Sequence, residues 1–177
     1  MMTLIKSPNI LLATALPRVD TTQVDIASIA LQMTNLMHEL GGLGLSANQV
    51  GLPYQIFVMR TVLNKQYGNV TVVINPVVKS VSKQIELGPE GCLSHTDLFL
   101  SIKRPNSINV EFDTLTSDYN SVISVDATYD DIDARCFLHE YDHLQGIQFV
   151  DRVSKLKLKI AQTAQTARTK RIKYGRT

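Results

Sequence analysis

Apolar residues recur at Ile26, Ile29, Ala30, Met33, Leu36, Met37 and Leu40, the three-and-four spacing of one helix face. The pattern predicts an amphipathic helix stopped by Gly41-Gly42. Thr22, with Asp25 three residues on, resembles a capping box at its start. His38 falls off the stripe, beside Gln32 and Asn35, and is expected to face solvent. The period then shortens. Residues 55–60 and 70–75 are rich in strand formers and flank turn residues at 64–68, which reads as a hairpin. Val77-Val78 continue that sheet past Pro76, and residues 84–87 form a further short strand. Ile108, Val110 and Phe112 alternate with Asn109, Glu111 and Asp113 as a half-buried strand does, and residues 122–128 pair with it across a turn at 115–120. Residues 1–19, with Pro8 and Pro17, form an irregular lead, and residues 147–150 a brief extended piece. Ser154 caps a last helix, although Leu156, Leu158 and Ile160 alternate with lysines as they would in a strand. No repeat, low-complexity block or linker divides the chain, so residues 1–177 read as one α+β domain.

A second helix carries the chemistry. In Cys136-Phe137-Leu138-His139-Glu140-Tyr141-Asp142-His143-Leu144-Gln145-Gly146 two histidines stand four residues apart, on one helix face and roughly 6 Å apart along the axis. Two imidazoles so placed can close on one metal ion, with Glu140 in reach of a water on it. Asp130, Asp131 and Asp133 put negative charge at the helix start, and Gly146 is a natural stop.

Composition narrows the setting. A chain of 177 residues with 44% hydrophobic and 19% charged residues is ordinary for a globular protein. No apolar run reaches the roughly 18 residues needed to span a bilayer, so no membrane role is expected. The first residues lack the features of a signal or transit peptide. Two distant cysteines make no disulfide framework. A cytoplasmic location is therefore expected. The net charge of +2 is uneven: residues 155–177 hold 8 of the 18 Lys/Arg and no acid, leaving −6 on the rest. A basic C-terminal helix or tail on an acidic body suits a polyanion such as ribosomal RNA; DNA is not an expected partner.

An HExxH helix needs a third protein ligand. The HExxHxxGxxH pattern fails at Phe149, and no Glu follows Glu140. The remaining donors are His38, His95, Cys92 and Cys136. His38 faces away. Cys136 lies a turn before His139, too far from an ion centred between the histidines, and reads as a core thiol. In an extended segment His95 would point opposite to Cys92. Cys92, in Gly88-Pro89-Glu90-Gly91-Cys92-Leu93-Ser94, is preferred; it completes a Cys-His-His set with one open position, the form of a catalytic site. The glycines of Gly42-Leu43-Gly44-Leu45-Ser46-Ala47-Asn48-Gln49-Val50-Gly51 let a backbone approach closely. That stretch is neither a dinucleotide fingerprint nor a P-loop.

Gly42 to Gln49, Glu90-Gly91-Cys92-Leu93-Ser94 and His139-Glu140-Tyr141-Asp142-His143 resemble, in order, the three signature motifs of the peptide deformylases. The resemblance covers most of residues 1–150. Arg135 and Ile102-Lys103-Arg104-Pro105 are most similar to the cyanobacterial and plastid branch, and a bacterial or phage-encoded copy fits the start of the chain. Two departures stand out: Ser46 replaces the usual Ala, and Leu138 replaces the Gln that commonly precedes the first histidine.

The resemblance implies antiparallel sheets around a central HExxH-bearing helix, with an N-terminal helix and the basic C-terminal segment. It implies removal of the formyl group from N-formylmethionyl nascent chains. Cys92, His139 and His143 would hold one divalent ion, Fe(II) by resemblance, although a Cys-His-His set also suits Zn(II) or Ni(II). Glu140 would move the proton. The resemblance assigns the developing oxyanion to Gln49 and the Leu93 N–H. Substrate would lie along Leu43, Gly44, Leu45 and Gly91, with Leu43 or Leu138 in the methionine pocket. Arg104 would pair with Glu90 or Asp142 and brace the metal helix. Two other readings remain: a metallopeptidase cutting internal bonds, and an inactive ribosome-associated binding module.

Overall fold

The computed structural model describes residues 2–62 and 69–174. Helix α1 (Ile26–Glu39) buries Ile26, Ala30, Met33 and Met37, the core of the expected stripe, and leaves His38 exposed. Its cap is Asp25, whose carboxylate accepts the Ser28 N–H at 3.0 Å. Thr22 instead hydrogen-bonds Asp20, so the capping box expected from Thr22 is not formed. Asp25 immediately precedes the helix, so its carboxylate reaches the orphan donor directly, whereas Thr22 lies three residues further back.

A five-stranded antiparallel sheet follows, built from β1 (Gly44–Ser46), β2 (Ile56–Arg60), β3 (Val70–Val81), β6 (Ser107–Leu115) and β7 (Val122–Asp130) in the order β1-β2-β3-β6-β7. Ile56, Phe57, Val58 and Met59 are all fully buried, so β2 runs apolar on both faces as an inner strand does. The pairing of β2 with β3 bears out the first hairpin; the turn expected at 64–68 lies outside the described residues. Strand β3 continues past Pro76, with a register shift between Ile74 and Val77. Strands β6 and β7 pair from Ser107–Asp130 to Leu115–Val122 without a break.

The remaining strands, β4 (Ile85–Cys92) and β5 (His95–Pro105), form a separate two-stranded sheet. The expected strand at 84–87 is thus the beginning of a longer one. β5 is an addition to the sequence reading, although Leu98, Leu100 and Ile102 are buried at its alternate positions.

Helix α2 (Asp131–Leu144) packs on the larger sheet through Phe137, whose ring meets Phe57 edge-on at 5.1 Å and stacks on Tyr129 at 5.6 Å. Truncating so enclosed a ring typically costs about 3–5 kcal/mol. The extended piece expected at 147–150 is cut short: Gln148 is extended, but Phe149–Arg152 forms a 3₁₀ turn, with Phe149 buried against β5. Helix α3 (Lys155–Tyr174) then begins, with Ser154 Oγ accepting the Lys157 N–H. The lysine–leucine alternation therefore lies on a helix, from whose described side chains Leu158 and Ala161 join the cluster around Leu98, Leu100, Ile102 and Phe149.

Candidate metal centre

Three elements converge. Helix α2 sets the His139 and His143 rings 5.1 Å apart at 70°. The β4–β5 hairpin reverses at Leu93-Ser94 and brings Cys92, the last residue of β4, over that pair, with Sγ 3.3 Å from His143 Nε2. Donor atoms of Cys92, His139 and His143 all lie within 4.8 Å of one another, and all three residues are buried. From the opposite side, β1 and the 3₁₀ turn Ala47–Val50 supply Ser46 and Gln49.

One sulfur and two imidazoles in a buried setting form a donor set for a borderline or soft divalent ion. His139 Nδ1–H donates to Glu90 Oε2 at 3.0 Å, which leaves Nε2 for the centre. Among protein groups alone, burial opposes charge on His139, but hydrogen bonds with Cys92 and Glu90 and the charge of Glu140 lift its pKa to about 10. Burial and the His139 charge push His143 well below its ordinary value. A cation entering here therefore displaces a proton.

Gln49 has a fixed amide: Oε1 accepts the Ser46 N–H at 2.9 Å, and Nε2 donates to Ser94 Oγ at 3.1 Å. Glu140, only 4% exposed, receives the Ser46 hydroxyl on Oε2 at 2.6 Å. Burial raises the Glu140 pKa, while the His139 charge and the Ser46 hydrogen bond oppose that rise. A Cβ on Gly44 would stand 2.4 Å from Glu140 Oε1. The close approach at Gly44 is thus to the carboxylate.

Behind the ligands lies an ion network. Arg104 Nε and Nη2 donate to the two oxygens of Glu90 at 2.9 and 3.0 Å, and Nη1 to Asp142 Oδ2 at 2.6 Å. Arg104 therefore pairs with both acids. Arg135 adds a second cation to Glu90 at 2.9 Å, and Arg152 a second to Asp142 through Nε at 3.0 Å. Burial alone would raise the Glu90 pKa, but hydrogen bonds from His139 and Arg104 and the Arg104 charge outweigh it and hold the pKa at about 2.

A cleft of about 530 Å³ opens in front of His139 and Glu140. Gln49, Cys92, Leu93, Leu43, Gly44 and Gly91 line it. The side chain of Leu45 goes elsewhere, fully buried in the core, and Leu138 packs on that core instead of the cleft wall. Cys136 is a buried thiol 3.5 Å from the Leu43 carbonyl oxygen, its pKa pushed well up by burial and then by Glu140. His95 hydrogen-bonds Gln148 at 2.8 Å and lies outside the donor cluster. Arg152 and the Ser46 contact escaped the sequence reading; for Ser46 the signal was its departure from Ala inside a motif already singled out.

A family model described as polypeptide deformylase matches residues 1–159. The chain belongs to that family. It is similar to peptide deformylase 1B, chloroplastic, of Oryza sativa subsp. japonica, at 33% identity over 150 residues, 85% of this chain and 54% of the relative. It is also similar to the peptide deformylase of Rhodopseudomonas palustris (strain BisB18), at 34% identity over 160 residues, with 88% of each chain covered. The chain thus spans about half the length of the chloroplast relative. Among solved structures, the peptide deformylase from Synechococcus elongatus in complex with actinonin superposes with a TM-score of 0.79 at 30% identity, covering 93% of this chain and 86% of that one. The fold is that of the deformylases, with antiparallel sheets and three helices. No helix among the described residues is long and apolar enough to cross a membrane.

Proposed function

We propose that this chain removes the formyl group from N-formylmethionyl peptides as a metal-dependent amide hydrolase. The observation that carries this reading is the meeting of Cys92 Sγ with the His139 and His143 imidazoles beside a buried carboxylate, Glu140. Cys92, His139 and His143 would hold one divalent ion, with Fe(II) favoured and Zn(II) or Ni(II) as alternatives. When bound, the ion would supply Lewis acidity and lower the pKa of a water towards ~7.

Glu140 accepts the water proton and passes it to the leaving amine, a transfer suited to a carboxylate whose pKa burial has raised. Gln49 Nε2 and the Leu93 N–H face the oxygen of the formyl group as it gains charge; one such donor is typically worth about 10²–10³ in rate. Leu43, Gly44 and Gly91 offer the cleft wall to the substrate, and Leu45 contributes backbone alone. Glu90 and Arg104 brace the HExxH helix as the axis of the site. The protein works in the cytoplasm on nascent chains, and α3 carries the basic surface that meets the ribosome.

The test is to incubate anaerobically purified protein with formyl-Met-Ala-Ser and measure formate, free amine and peptide fragments. Formate and amine in equal amounts, without fragments, is the expected result. Fragments without formate would replace this reading with an internal peptidase. Neither product from metal-loaded protein would leave a binding module.

A further inference from the structure

Gly44 and Ser46 are two residues apart on β1 and therefore share a face, and both meet Glu140. On one side, Gly44 leaves room where a Cβ would fall 2.4 Å from Oε1 and 2.7 Å from Cδ. On the other, Ser46 Oγ lies 2.6 Å from Oε2 and 3.2 Å from the Glu140 carbonyl oxygen. A hydroxyl has one proton to give, and 2.6 Å is the length of a charge-assisted O–H···O⁻ bond, so the carboxylate takes it. Ser46 is fully buried. Its backbone is fixed twice, by register with Phe57 of β2 and by its N–H bond to Gln49 Oε1 at 2.9 Å. The carboxylate thus lies in a rigid slot, and a methyl in place of the hydroxyl would leave it free to turn about its last torsion, which is broad for glutamate.

We infer that Ser46 is a positioning residue for the reaction: its hydroxyl holds Glu140 Oε2 so that Oε1 is the proton-accepting oxygen. This rests on the deformylase reading. The slot costs no reorganisation during turnover, because β1 is already ordered.

The test compares the parent with Ser46→Ala and Ser46→Thr, reading kcat, KM and bound metal on formyl-Met-Ala-Ser. High-resolution crystal structures of all three metal-loaded proteins add an independent view of the Glu140 carboxylate. Ser46→Ala should lower kcat about tenfold or more, tenfold corresponding to the lower end of the worth of one hydrogen bond to a charged group, with KM and metal content unchanged. Its Glu140 carboxylate should occupy two orientations. Ser46→Thr, which keeps the hydroxyl, should recover most of kcat and a single orientation. An active parent with Ser46→Ala within twofold in kcat would overturn the inference alone, as would a loss in step with metal content. A parent that releases no formate would remove the deformylase reading and the inference with it.

Discussion

At the residue scale, Glu140 is closely enclosed by Gly44 and Ser46. Since a Cβ on Gly44 would fall inside contact distance of the carboxylate, Gly44→Ala should displace the base while sparing the ligands. Turnover should fall by about 10² or more with metal content near that of the parent, as measured by formate release and metal analysis on the same sample. Glu140→Ala should likewise keep the ion and lose turnover, whereas Cys92→Ala should lose both; equal metal in those two variants would count against Cys92. Glu90 gives a pH dependence. Its carboxyl has a pKa of about 2 in the fold against an ordinary value of about 4.5, so the folded state favours the ionised form. That stabilisation, roughly 3 kcal/mol, is fully present above the unfolded pKa and is lost as pH falls from about 4.5 towards 2. In urea melts of chelator-treated protein, Glu90→Gln should be less stable than the parent at pH 7 and should lose less stability on going to pH 3. A parallel decline would contradict the shift. His139 and His143 were legible in the sequence because helical spacing is local. The contact of Ser46 with Glu140 spans 94 positions, and no local pattern encodes it.

At the scale of elements, Gly146 shows how α2 is terminated and tied down. Its φ is +71°, and a Cβ would stand 2.8–2.9 Å from backbone atoms of Ala13, Thr14 and Ala15. Gly146→Ala therefore meets both a left-handed backbone and immovable main chain, and should destabilise the protein by about 2–4 kcal/mol, read as a lower urea midpoint at unchanged slope. The sequence showed this glycine as a helix stop but not the segment lying against it. Period and turn residues sufficed for α1, the β2–β3 pair and the β6–β7 hairpin, where each partner is near in the chain. They misled at 147–150, where Phe149 turns into the cluster under β5 and the chain shortens into a 3₁₀ turn. They also left β5 unread, although its alternation of Leu98, Leu100 and Ile102 was there to be found.

For the whole molecule, the hairpin that delivers Cys92 and the helix that delivers both histidines are joined by the network of Glu90, Arg104, Arg135, Asp142 and Arg152. Arg104 is 4% exposed and pairs with both acids, so Arg104→Ala would leave two carboxylates short of a buried partner. A loss of about 3–5 kcal/mol, with weaker metal retention, is expected; unchanged melting and metal content would remove its bracing role. Helix α3 stands apart from this network. It docks through Leu158 and Ala161 and by Gln165 Nε2 to the Thr96 carbonyl at 2.5 Å, while the family match stops at residue 159. Truncation after Gln165 removes five of the eight basic residues of 155–177 and keeps those contacts. Tripeptide hydrolysis should persist, and ribosome co-sedimentation should weaken most at low salt. The Cys-His-His assembly was reached from sequence by elimination among few donors; its bracing was less legible, because Arg135 and Arg152 find their partners only once the hairpin and α2 are packed together.

The central claim is that one sulfur and two imidazole nitrogens share a cation. X-ray absorption at the metal edge of anaerobically purified protein measures this directly. One sulfur scatterer at ~2.3 Å and two nitrogen scatterers at ~2.0–2.1 Å are expected if the ion is zinc, with the same ligand count for iron, and loss of the sulfur shell in Cys92→Ser. A spectrum of the parent containing only nitrogen and oxygen neighbours would contradict it.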